Sequence, residues 1–310
     1  MKLSVATAGC DWRDAQDGYF LGYCNDEEFG DYEHGAYYFN LEPNATRHLA
    51  KAQVIFLGNS RAQFAFSTEV VQKFFELHPV PYYLMGFGYG EPSEFPSVLL
   101  REYRPPIKSI VVNTDPFFKP GKLKKPAQEV LNGSRKTYWA FAAKKIAAPI
   151  QQSVCGILPA LCAPPLVSTY RSEATGAWYT KGAVQETHRR IATKPRERKE
   201  LSTDQTTELA ARARAFLTEF AIDPSCAVFT SPPNERVDGA SIAKALAQSV
   251  GAQFILPDLA GIVTLDGIHL EQQSAERWSA AFLQEYAPIM ERCVNPSGTA
   301  RPPQASDPQR

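Results

Sequence analysis

No stretch of this 310-residue sequence runs for about 18 apolar residues, and that absence excludes a membrane-spanning helix. Net charge is also missing: 33 Lys and Arg balance 33 Asp and Glu, so nothing global points to a nucleic-acid partner. None of the six cysteines stands in a CxxC pair, so the spacing of a zinc site is absent and no metal is expected. The opening MKLSVATAGC is too short and too weakly apolar for a signal peptide, and the chain is expected to be soluble.

What the chain lacks overall it has locally. Residues 1 to 43 hold nine Asp and Glu against two Lys and Arg, whereas residues 119 to 200 hold sixteen basic residues against five acidic ones, a local charge of +11. Cys10 with Cys24 and Cys155 with Cys162 are close enough for local disulfides, which need an oxidising compartment. The six read equally well as free thiols, and Cys226, inside the apolar run CAVFT, reads as a core residue.

Hydrophobic residues make up 44% of the chain, enough for a sizeable core in one large domain or two small ones. VIFLG (54 to 58) and PYYLM (81 to 85) read as strands, and between them Ser67 can cap a helix with Val70, Val71, Phe74 and Phe75 on one face. IKSIVVN (107 to 113), CAVFT (226 to 230) and QFIL (253 to 256) read as further strands. Leu209, Ala213, Phe216, Leu217 and Phe220, then Ile242, Leu246 and Val250, then Leu270, Trp278, Ala281 and Phe282 mark the helices that separate and follow them. Alternation of this kind predicts an α/β fold, a three-layer doubly wound parallel sheet. Residues 1–48 read as an irregular N-terminal extension packed on the domain, 49–290 as the α/β domain, 119–203 as a basic insertion or lid within it, and 291–310 as a disordered tail.

Ligands of open parallel sheets bind beyond the carboxyl ends of the strands, where strand order reverses. Ser60, in Gly58-Asn59-Ser60, stands at such an end, as either a turn residue or a nucleophile. A hydroxyl becomes a nucleophile only when a base takes its proton. Of five histidines, His34, His48, His78 and His188 read as surface or packing residues, while His269 lies at the entrance to the final helix, three residues after Asp266. One tight loop can present both, or Asp266-Gly267 can be a plain turn with a cap.

Gly58-Asn59-Ser60 after the first strand and Asp266-Gly267-Ile268-His269 before the last helix together resemble the SGNH hydrolases, also called GDSL-type esterases. The likeness covers residues 52 to 118 and 205 to 286. It implies a flavodoxin-like sheet and a Ser60, His269 and Asp266 triad for two-step acyl transfer without a cofactor, with Ser60 N–H, Gly90 N–H and Asn113 in the oxyanion hole. Gly88 is the alternative to Gly90, and VVNTDPFF (111 to 118) departs from the G-x-N-D block that normally carries the Asn. Arg61 either holds an anionic group of the substrate or pairs with a nearby acid. The likeness extends to bacterial esterases and O-acyltransferases of surface polysaccharides, which implies an extracytoplasmic place and an acylated carbohydrate as substrate; without the likeness, the cytoplasm is the expected place. Tyr19, Tyr23, Tyr37, Trp139 and Trp178 are the candidates to stack on sugar rings. The alternative is a catalytically inactive protein of this fold that binds carbohydrate, or docks on a membrane surface through the basic insertion.

Overall fold

A computed structural model describes residues 17–24, 31–158, 167–181, 189–190, 202–235 and 239–295. Among the described residues, ten strands run in chain order: β1 (Tyr19–Cys24), β2 (Val54–Asn59), β3 (Tyr82–Phe87), β4 (Ser109–Asn113), β5 (Ser168–Ser172), β6 (Trp178–Lys181), β7 (Arg189–Arg190), β8 (Ala227–Thr230), β9 (Gln253–Phe254) and β10 (Val263–Thr264). Five of them form a parallel sheet in the order β3-β2-β4-β8-β9. The earliest strand of this sheet is therefore second from one edge, and strand order reverses beside it.

The composition of the inner strands explains why they sit there. VIFLGN, SIVVN and AVFT are buried at every position, as a strand covered on both faces must be. Ile55 and Leu57 face one core, with Phe95, Leu99, Phe216 and Leu246 from helices Glu94–Tyr103, Thr203–Glu219 and Gly239–Val250. Val54 and Phe56 face the other, with Val71, Phe75, Trp278 and Phe282 from helices Thr68–Leu77 and Gln272–Val294. Two cores on opposite faces make three layers. Trp278 is fully buried, and its truncation to Ala would cost roughly 3–5 kcal/mol.

Several element ends differ from the expectation. Ser67 occupies the N-cap position of helix Thr68–Leu77, but its side chain makes no capping bond; its backbone N–H donates to Ser279 Oγ. The last helix starts at Gln272, because Leu270 bridges back to Thr264. That helix runs on to Val294, past the expected domain end at 290, and Cys293 there is bonded to Cys226. Cys226 is thus not a free core thiol. The bond closes a separation of 67 residues, worth roughly 4 kcal/mol in the chain-entropy account. Cys24 is also disulfide-bonded, and no cysteine among the described residues is free. Cys10, Cys162 and the side chain of Cys155 lie outside the described residues, as do residues 296–310 of the expected tail.

The two segments outside the sheet are more ordered than their sequences suggest. The N-terminal extension is not irregular throughout: it contributes β1 and the helices Glu33–Tyr38 and Pro43–Leu49. The insertion holds helices Lys125–Leu131 and Arg135–Ile157 and the hairpin β5–β6. These segments meet, since β1 pairs antiparallel with β5, nearly 150 residues later, a partner that local periodicity cannot reveal. The hairpin is also no detachable lid. Leu84 N–H on the outer edge of β3 donates to Thr175 O at 2.8 Å, and Arg171 donates to Leu84 O at 2.8 Å and Gly86 O at 2.9 Å. An open edge of this kind is prone to pair with another chain, and here it is covered.

Candidate active site

The site is built on the turn that leaves β2. Gly58 has φ of 154°, and a Cβ there would lie 2.9 Å from the Cβ atoms of both Asn113 and Ala62, so only glycine lets the strand pass this close to the end of β4. Asn59 then caps helix Ser60–Ala65: its Oδ1 accepts from Arg61 N–H at 3.0 Å and from Asn113 Nδ2 at 3.1 Å, and its Nδ2 donates to Asp115 O at 3.0 Å. A buried amide with both ends engaged holds the turn in one geometry. Ser60 follows as the first helical residue, where backbone N–H groups have no partner within the helix.

The second half of the site comes from the loop after β10. Asp266 Oδ1 accepts from Ile268 N–H at 2.9 Å and from His269 N–H at 2.8 Å, so the carboxylate closes its own turn. Gly267 supplies the left-handed residue inside it, with φ of 82°. The other carboxylate oxygen lies 2.8 Å from His269 Nδ1, and His269 Nε2 lies 2.9 Å from Ser60 Oγ. An ionised carboxylate can only accept, so Nδ1 carries the proton and Nε2 is left to accept from the serine hydroxyl. Burial raises the Asp266 carboxyl, but the N–H groups of His269 and Ile268 and the imidazole itself outweigh it and hold the group below its ordinary value of 3.8. It stays charged at neutral pH, as this tautomer requires.

Residues from both outlying segments back this arrangement. The His269 ring packs on Phe64 at 4.8 Å between centroids, and Phe64 meets Trp178 edge-on at 6.2 Å. Trp178 Nε1 donates to Glu33 Oε2 at 3.2 Å, and Arg171 Nη1 donates to the same oxygen at 2.7 Å. The Arg171 guanidinium is wholly buried among the rings of Tyr37, Phe87 and Trp178, with two of its nitrogens on the β3 carbonyls. Extension and insertion therefore both reach the carboxyl ends of the strands.

Of the residues singled out in the sequence, Ser60, Asp266 and His269 come together within hydrogen-bond distance. Gly88 and Gly90 lie in the turn directly after β3, next to helix Ser60–Ala65, and Gly90 has φ of 67°. Asn113 is buried with one amide hydrogen committed to Asn59, and its Oδ1 has no partner among the described residues. Arg61 donates to Asp115 Oδ2 at 2.9 Å and to Asp115 O at 2.7 Å, the pairing reading of the two given above. Lys119 takes the other Asp115 oxygen at 2.7 Å, and against the effect of burial the two cations hold this carboxyl below 3.8.

Tyr37 is not available to a sugar ring. It is buried, with its hydroxyl on Tyr83 and its ring under Arg171. Tyr19 is committed to an edge contact with Tyr179, whereas Trp178 keeps part of its surface. The supporting roles of Asn59, Phe64, Asp115 and Arg171 rest chiefly on distant partners, Asn113, His269, Arg61 and Glu33, that local sequence does not signal. Comparison of the chain with protein-family models, curated proteins and solved structures finds no match.

Proposed function

We propose that this chain is a serine esterase of the SGNH type that acts through an acyl-serine intermediate. The observation that carries the reading is the continuous Ser60–His269–Asp266 chain of hydrogen bonds at the strand end beside the reversal of strand order. His269 Nε2 takes the Ser60 proton while Oγ forms a bond to the ester carbonyl carbon. The imidazolium, stabilised by Asp266, returns that proton to the departing alkoxide. Water, or the hydroxyl of an acceptor, then attacks the acyl-serine by the same relay and frees Ser60 Oγ. Main-chain N–H groups of Ser60 and Gly90 serve the tetrahedral oxyanion, joined by the second amide hydrogen of Asn113.

The substrate we infer is an O-acyl group, an O-acetyl group foremost, on a carbohydrate. Trp178 beside Phe64 and His269 offers an aromatic face for a sugar ring next to the serine. The Cys226–Cys293 bond supports an oxidising, extracytoplasmic setting. Labelling with a fluorophosphonate probe, followed by peptide mapping, tests the nucleophile. Ser60 is the expected site, and Ser60→Ala should abolish labelling and nitrophenyl acetate cleavage with little change in Tm. Labelling at another serine refutes the assignment. Turnover on an O-acetylated polysaccharide no better than on the small ester would leave a generic esterase.

A further inference from the structure

Among the described residues, the contacts that hold helix Arg135–Ile157 to the protein lie along one side. Phe141 and Ala142 are buried, Phe141 packs against Phe39 and Tyr32, Lys144 Nζ donates to Asp31 O at 2.9 Å, and Lys145 pairs with Glu42 at 3.0 Å. These contacts fix which way the opposite side points. Trp139, Ile146, Ile150, Val154 and Ile157 recur at intervals of seven, four, four and three residues, the spacing of a single line along a helix. All five are between 43% and 78% exposed. Buried apolar residues would be expected at such a spacing, and an outward stripe about 27 Å long asks for something to cover it.

The charge around the stripe has one sign. Lys122, Lys124, Lys125, Arg135 and Lys136 are exposed at the amino-terminal approach, against a single carboxylate, Glu129. The helix itself contains no Asp or Glu. A second copy packed two-fold through the same helix would bring more cations and no complementary acid, because that helix holds none. A soluble anionic polymer would meet the cations and leave the stripe wet. Anionic headgroups above hydrocarbon satisfy both.

We propose that helix Arg135–Ile157 lies on the surface of a bilayer containing anionic lipid, its apolar stripe entering the headgroup–acyl boundary. Trp139 then sits at the interface and the five cations rest on phosphates. The helix lies on the bilayer and does not cross it: no described helix is long and apolar enough to span. This surface is independent of the esterase reading.

The test is co-sedimentation of the full chain with vesicles of phosphatidylcholine alone or mixed with phosphatidylglycerol. Binding should require the anionic lipid, weaken at least tenfold in 1 M salt, and shift Trp139 emission to the blue, a shift missing in Trp139→Phe. Because each cation near such a surface is worth about fivefold in binding, Lys122→Glu with Lys124→Glu and Lys125→Glu should weaken it by well over tenfold. Ile146→Ser with Ile150→Ser should also release the protein while circular dichroism and Tm stay as in the parent, since both residues are exposed. Equal binding to the two vesicle types, no binding to either, or a dimer in sedimentation velocity that the Ile changes dissolve would overturn the proposal.

Discussion

Asp31–His34 and Asp266–His269 share one local geometry. In each, the aspartate accepts from the histidine backbone N–H, at 3.2 and 2.8 Å, and lies 2.8 Å from Nδ1 of the same residue. They part company at the other ring nitrogen. His269 Nε2 meets a hydroxyl, and its side chain keeps 23% of its exposure. His34 Nε2 faces the Glu91 carboxylate at 3.6 Å, and its ring is fully buried against Phe87 and Phe95. Burial alone would drive off the His34 proton, but Asp31, Glu91 and Glu33 outweigh it and push its pKa up to about 10. The spacing Asp-x-x-His thus sets the orientation of an imidazole, and the group opposite Nε2 decides whether it exchanges a proton or keeps it. On the proposed function the first imidazole exchanges its proton with Ser60, while the second is held toward its charged form by the carboxylates around it.

Four experiments bear on that contrast. The largest effect is expected at the exposed member: His269→Ala should lower turnover on the order of 10⁴-fold, and adding Asp266→Ala should cost little more, because groups acting as one unit are not additive. Additive losses in steady-state kinetics would deny the shared role. Next, His34→Ala should leave Ser60 labelling in place while costing roughly 3–5 kcal/mol in urea unfolding, since it strands carboxylates in the core. Loss of labelling in folded protein would merge the two sites. Third is pH. A raised pKa means that the stability from His34 is fully present below its unfolded value of 6.5 and is lost as pH rises toward about 10. Tm should therefore fall more steeply over that window in the parent than in His34→Leu, and parallel curves would count against a buried imidazolium. The smallest effect belongs to Gly267→Ala. Its left-handed φ predicts a loss of about 1–2 kcal/mol and slower labelling from a displaced His269, checked by melting and probe kinetics.

Much of this was legible in the chain, for reasons the contrast makes plain. Strands β2, β4 and β8 were readable because burial on both faces fills their middles with apolar residues, leaving polar ones only at the ends. Ser60, Asp266 and His269 were readable because turn chemistry is local. His34 carries the same local pattern, yet reads only as a surface or packing residue, because Glu91 and the Phe87 and Phe95 rings that bury it lie more than fifty residues away. Arg171 lies in the basic insertion, where nothing local marks it out, and only its contact with Glu33 and the β3 carbonyls accounts for its burial. Cys226 and Tyr37 were misread in the same way, through partners that sequence distance conceals.

The cover over the outer edge of β3 has a consequence in time. A ribosome delivers β3 about 90 residues before it delivers Thr175 and the β5–β6 turn, a delay of roughly 5–20 s at common elongation speeds. Throughout that interval the Leu84 N–H waits for its acceptor on a strand whose own pairing partner, β2, is already made, and the Leu84 and Gly86 carbonyls have Gln63 Nε2 but not yet Arg171. Synthesis of this protein therefore passes through a stage with one sticky margin, and any pause between codons 90 and 170 lengthens it.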